Sequence, residues 1–496
     1  MTNRVAGIPR CGAWCVAVLA AWSAVASGGP AEGPEDIVSR LAERAGDAGE
    51  RRLSETIAAW ELPEPGDRIL VLRIDATTGG RGWTDPPEWV RGEEASRLWR
   101  EFVEARRARA ERLVGRALES VRGGEPQGGS AAAMPLLFRA LREDPDHAEA
   151  RAAVGWRRRD GRWVWPEAAR RMERGEVFSE RFGWMSKSRL SRFENGERYD
   201  RGRWIDATEA ERPRSVDRAW KTASDHWEID STVPMERAMA LAVVLEETRM
   251  AWLQAFGGFA IDAGQIVGRA AGRAHAEPRR PFAATLVRDR AEYAAALLPL
   301  EPAAGRTLGL YWNPTRTAWF FDTDDEGRAV GPARTTVLHE ATHQLFSESR
   351  DASPLAGERS GFWALEAVAC FMESLEPAPF GWTLGGPTAG RVPVARERLV
   401  EDGFHVPLRE LSAMGRARLQ ADDRLPMIYS EISGLADFFL CGRQGLRRGA
   451  FLEYLRRIYD GTAEPGTLAE LCGASFEELD DDYRRFMAAH AVGPPR

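Results

Sequence analysis

Residues 335–346 read TTVLHEATHQLF and hold two of the chain's seven histidines, His339 and His343, with Glu340 directly after the first. On a helix, residues four apart share a face, so both imidazoles can reach one metal ion. Glu340 stands one position on, where it can touch a water beside that ion without binding the ion itself. Zinc lowers the pKa of such a water to about 7, and a carboxylate there can take its proton. The pattern is rare by accident: at this chain's His and acidic content, HExxH is expected roughly 0.015 times. The flanks fit a helix. Pro332 suits a helix start, Thr335 or Thr336 can satisfy early backbone donors, and Val337, Leu338, Ala341 and Leu345 supply an apolar side. The plain alternative is a helix with two solvated histidines.

Two histidines do not complete such a site, because catalytic zinc takes three protein ligands and keeps one position open. The continuation HQLFSESRDAS offers no third histidine. After the polar loop SRDASPLAGERSG comes FWALEAVACFMESLEP, a second helical stretch. Glu366 lies 23 residues after His343, flanked by Trp363, Leu365, Ala367 and Val368. A buried carboxylate without a partner is costly, and a metal ion resolves that cost. Glu373, seven residues further, shares its face and can orient a ligand histidine from behind. The alternative for each is a solvent-facing helix residue.

His339-Glu340-x-x-His343 followed by WALEAVACFME resembles the gluzincin metallopeptidases, specifically the peptidase-MA-like group whose third ligand sits in an E-G-x-A-x-Y-x-E helix. Glu366, Ala369 and Glu373 match that pattern; Ala367 stands where glycine is usual and Phe371 where tyrosine is usual. The resemblance covers about residues 215–490. It implies an α+β, zincin-like catalytic domain, in which a small mixed sheet lies over the motif helix and a helical subdomain follows. It also implies an edge strand that pairs with an extended peptide, and RTLGLYWNPTRTAWFF is placed to supply it. A Tyr or His from the helical half often steadies the oxyanion in this family; Tyr429 is the first candidate and His405 the second. The expectation is one zinc ion held by His339, His343 and Glu366, Glu340 as general base, and a peptide or protein substrate. Two rivals stand beside it: an exported scaffold that keeps the fold without turnover, and a zinc hydrolase of a non-peptide amide.

The elements that must position these residues are legible in outline. From about residue 215, DHWEIDSTVP is strand-like, MERAMALAVVLEETRMAWLQAFGGF is a long amphipathic helix, PFAATLVRD a strand and RAEYAAALLP a helix. RTLGLYWNPTRTAWFFDT is a strand pair around an Asn-Pro turn. Upstream, residues 27–130 read as mainly helical, with a strand at 68–75, a charged helix at 94–122 and the linker GGEPQGGSAAA. Residues 131–214 read as a helical unit, MPLLFRALREDPDHAEARAAVGW, plus a short repeat, in which RDGRWVWPEA recurs as DRGRWIDATEA. Each copy predicts a tight Gly turn, a short strand and an acidic helix start. Core packing of Trp163 and Trp204 is the expectation; an aromatic binding surface would need both exposed.

The bulk numbers suit a large soluble fold. The 496 residues, 44% hydrophobic and 29% charged, allow two to four domains. Residues 1–26 read as a secretory signal peptide: Arg4 and Arg10, then an uncharged apolar run, then Ala24-Val25-Ala26. That predicts export, periplasmic or extracellular, with no stable membrane insertion after cleavage. The net charge of −7 becomes −9 without the two leader arginines, which argues against nucleic-acid binding. Cys370, Cys441 and Cys472 remain; they match no metal motif, and either Cys441 pairs with Cys472 or all three are free thiols. The oligomeric state is not written in the sequence.

Overall fold

The computed structural model describes residues 66–74, 84–85, 92–123, 129–324 and 326–489. The expected leader, the upstream part of the expected helical region 27–130 and the middle of the linker lie outside them. The chain divides into two compact units, residues 1–64 with 80–111, and residues 65–79 with 112–496. In the first, Trp99 packs on Phe102 at 5.4 Å between ring centroids and donates its indole N–H to the Thr84 carbonyl at 3.1 Å. The second is mixed α+β with small sheets. No described helix is long and apolar enough to cross a membrane.

Strand β1 (Ile69–Leu72) is followed by the expected charged helix, Glu93–Arg122, and by the helices Gly129–Glu143 and Ala148–Val154, so the expected linker gives way to helix already at Gly129. Three hairpins then alternate with short helices: β2–β3 (Arg157–Arg159, Arg162–Val164), β4–β5 (Glu176–Ser179, Gly183–Ser186) and β6–β7 (Arg198–Asp200, Arg203–Ile205). The repeat thus has three copies where the sequence shows two. The middle copy has a longer turn and lacks the Gly-Arg-Trp spelling, but Trp184 holds the place of Trp163 and Trp204. Trp163 is buried, and Trp204 packs against the core of Phe193 and Ile205, so these are packing residues and not an exposed aromatic surface.

The main sheet has five strands, β8 (Trp220–Ala223), β9 (Trp227–Ser231), β10 (Phe282–Val287), β11 (Leu310–Trp312) and β12 (Thr317–Phe321). Their spatial order is β11-β12-β10-β9-β8. Strands β9, β10 and β12 run parallel, and β8 and β11 close the two edges antiparallel. Parallel neighbours require long crossovers, and the helix Met235–Ala260 lies in the first of them. A separate three-stranded antiparallel sheet joins β1 to β14 (Gly381–Leu384) and β13 (Glu376–Ala378).

The motif helix, Arg334–Ser349, buries Val337, Leu338, Ala341 and Leu345 as its pattern requires. Its N-cap is Ala333, which offers no side-chain cap, so Thr335 and Thr336 lie inside the first turn and cap nothing. Phe346 locks the helix against Phe256 and Phe259 of the long helix, at 5.2 and 4.8 Å. Gln344 clamps it to the sheet. Its carbonyl accepts the Trp227 indole N–H at 3.1 Å, and its amide donates to the Ala283 carbonyl at 3.0 Å. A buried amide satisfied on both sides fixes the helix in rotation as well as position.

The helix Phe362–Met372 is buried along its whole length and packs between the motif helix and the helix Leu425–Leu440. Its entry depends on Gly361. That residue has φ = 71°, and a Cβ there would lie 2.7 Å from Tyr454 Oη and 2.9 Å from Ile458 Cδ1. A left-handed backbone and an occupied side-chain volume both exclude other residues. Gly361→Val is therefore expected to lose at least about 2 kcal/mol of stability. A urea titration superimposable on the wild type would contradict this account of the helix entry.

Candidate metal centre

Two helices meet at the site. The motif helix presents His339 and His343 on one face, and the buried helix presents Glu366 opposite them. His339 Nε2 and His343 Nε2 are 3.2 Å apart. Glu366 Oε2 lies 3.5 Å from the first and 3.7 Å from the second. For zinc bound tetrahedrally at about 2.0–2.1 Å, neighbouring ligand atoms stand about 3.4 Å apart. The triangle has the dimensions such an ion needs. The His339 and His343 side chains are 16% and 19% exposed against 9% for Glu366, so the open side of the triangle is on the histidine flank.

The donors are oriented from behind. His339 Nδ1 lies 2.8 Å from Glu373 Oε1. A carboxylate only accepts, so Nδ1 carries the proton and Nε2 turns its lone pair to the triangle. Glu373 is gripped in turn by Arg391, at 2.8 Å from Nε to Oε2 and 3.0 Å from Nη2 to Oε1. Burial alone would raise the Glu373 carboxyl, but His339 and Arg391 outweigh it and hold it below its usual range. Burial would likewise raise Glu366, yet His343 and His339 hold it well below. Burial would lower His339, but Cys370, Glu366 and Glu373 around it raise it well above its ordinary value. Together these shifts describe a pocket whose carboxylates are ionised and whose field attracts positive charge.

Tyr429, on the helix Leu425–Leu440, donates its hydroxyl to Glu366 Oε2 at 3.0 Å. Burial and the Glu366 charge push the phenol far up, so it stays a neutral donor. Glu340 faces the edge strand: its Oε2 accepts the Tyr311 backbone N–H of β11 at 2.7 Å. Gly309 permits that approach, since a Cβ there would lie 2.7 Å from Thr336 Cγ2 and 3.2 Å from Glu340 Cγ.

His339, Glu340, His343, Glu366, Glu373 and Tyr429 are thus brought together, and His405 belongs elsewhere. Its Nδ1 lies 2.6 Å from Glu431 Oε1 and its Nε2 3.2 Å from Asp480 Oδ1. Burial would lower it, but Asp480 and Glu431 raise it to about 9. It sits between two carboxylates, which tie its loop to two helices, and not among the residues around the ligand triangle. Arg391 and Cys370 are the members that sequence reasoning missed. Cys370 is buried against His339 with its thiol pushed up by burial, and all three cysteines of the described residues are free, so Cys441 and Cys472 are not paired. A second group of possible ligands, His339 Nδ1, Cys370 and Glu373, lies behind the first. Arg391 supplies the positive charge there, which disfavours a cation.

No protein-family model matches the chain, and no curated protein matches it. The site therefore stands on its own geometry. If Arg391 holds Glu373, and Glu373 holds His339, Arg391→Ala is expected to weaken zinc binding about 10–100-fold, measured by competition with a chelator. An unchanged affinity would show that the histidine needs no such support.

Proposed function

We propose that this chain is a zinc-dependent peptidase of the gluzincin type, built on a zincin-like fold and acting on peptides or proteins after export. The observation that carries this reading is the convergence of His339 Nε2, His343 Nε2 and Glu366 Oε2 on one point, with Glu340 and Tyr429 beside it. The small mixed sheet over the motif helix, with a helical half after it, also supports it.

His339, His343 and Glu366 would hold one zinc ion. Bound there, zinc supplies Lewis acidity to a carbonyl and acidifies a water. Glu340 is the base. Its carboxylate is free of the ligand triangle and is held by the Tyr311 N–H, so it takes a proton from the attacking water and returns it to the leaving amine. Strand β11 is the outer strand of the sheet, so its open edge offers backbone groups to an extended peptide next to Glu340. Tyr429 would turn its hydroxyl from Glu366 Oε2 to the oxygen that gains charge at the tetrahedral stage. It remains protonated because its surroundings are buried and acidic.

Glu340→Gln is expected to keep zinc and to lower kcat against an unfolded protein substrate by at least about 100-fold. Tyr429→Phe is expected to lower kcat by about 100- to 1000-fold with KM little changed. A Glu340→Gln enzyme cleaving at the wild-type rate would assign the proton transfers to another group. Loss of KM with intact kcat in Tyr429→Phe would make Tyr429 a substrate-binding residue instead.

A further inference from the structure

Behind the motif helix, on the side of Leu345 and Ser349, lies a cavity of about 100 Å³ whose walls include Trp165, Trp252, His226, Arg249 and Arg269. The carboxylates at and beside it already have donors. Glu246 accepts the Ser224 hydroxyl at 2.6 Å, the His226 backbone N–H at 2.8 Å and His226 Nδ1 at 2.6 Å. Glu167 accepts the Arg279 backbone N–H at 2.9 Å, and Asp225 accepts the Trp184 indole at 2.8 Å.

The donors are in surplus. The Arg249 guanidinium lies 4.5 Å over the Trp165 ring, and Arg269 reaches the same ring's neighbourhood: a Cβ on Gly155 would lie 3.8 Å from Arg269 Nη1 and 3.9 Å from Trp165 Cζ3. Neither guanidinium makes a hydrogen bond or ion pair among the described residues. Trp252 Nε1 and His226 Nε2 are buried without a hydrogen-bond partner among those residues, on side chains of residues only 3% exposed. The nearest carboxylate oxygen to that His226 nitrogen, Glu167 Oε2, is 3.8 Å away, beyond hydrogen-bond range. Buried polar groups in folded proteins are almost always paired. Two guanidiniums without a protein partner and the buried, unpaired Trp252 N–H around one small cavity specify what is missing, a compact group that only accepts.

We propose that this cavity is a binding site for a small oxyanion, a phosphate or a carboxylate group, gripped by Arg249 and Arg269 and completed by the Trp252 indole N–H. Planar guanidinium forks match both anions. Burial, against the opposing pull of Glu167, Glu246 and Asp225, leaves Arg249 below its ordinary range, and burial with the Arg279 charge does the same to Arg269. An anion would relieve both. The site is separate from the proposed zinc centre and does not depend on it.

The test is isothermal titration of the full chain with inorganic phosphate and, separately, with acetate at matched ionic strength, each with and without added zinc. About one anion per chain is expected under both zinc conditions, bound about tenfold or more weakly by Arg249→Met and by Arg269→Gln. Tighter phosphate identifies a tetrahedral ligand, and tighter acetate a carboxylate. Absence of binding by either anion overturns the proposal, as does equal affinity in wild type and Arg269→Gln. The latter variant decides alone if Arg249→Met does not fold.

Discussion

Lone pairs that converge on one point repel one another unless a proton or a cation sits among them. His339 Nε2, His343 Nε2 and Glu366 Oε2 lie within 3.7 Å of one another where two helices cross, one of them buried throughout. Such a triangle is stable only if the surrounding fold holds it against that repulsion, and much of the second unit does this. Gln344 and Phe346 fix the motif helix against sheet and long helix. Gly361 lets the second helix enter at the required angle. Arg391 and Glu373 set the tautomer of the first histidine. A site assembled at this cost in packing freedom is consistent with the metal chemistry proposed for it.

The same helix connects two different demands. Its histidine face looks toward Glu366 on the buried helix, while Glu340 meets the Tyr311 N–H of the edge strand. Its far end meets the arginine-lined cavity through Leu345 and Ser349. The first side concentrates acceptors and calls for a cation. The second concentrates donors and calls for an anion. Each is explained by the accounting of buried polar groups and not by charge alone, since the arginines and carboxylates near the cavity are almost balanced.

Much of this was legible in the sequence because it is local. The i, i+4 histidines, the apolar flank of the motif helix and Glu366 within an apolar run all follow from helical spacing. Alternation revealed β9, β10, β11 and β12. Strand β8 escaped because WKTA is four residues long with a lysine among them, and the middle hairpin escaped because its turn is longer. Tertiary facts left no local signal. Arg391 meets Glu373 across a loop that carries no periodicity, and His405 owes its partners, Glu431 and Asp480, to helices that only folding brings near. Ala333 as N-cap shows that tertiary packing, and not the nearby threonines, sets where the motif helix starts.

The central claim is that the three converging atoms hold zinc, and metal content tests it most directly. Elemental analysis of the purified chain after zinc loading and dialysis, beside a Glu366→Ala variant shown by circular dichroism to be folded, is the measurement. The account predicts about one zinc per wild-type chain and loss or strong weakening in the variant, because two histidines alone leave the site incomplete. A wild-type chain that takes up no zinc under metal-replete conditions would contradict it, and so would a variant that binds zinc as tightly as the wild type.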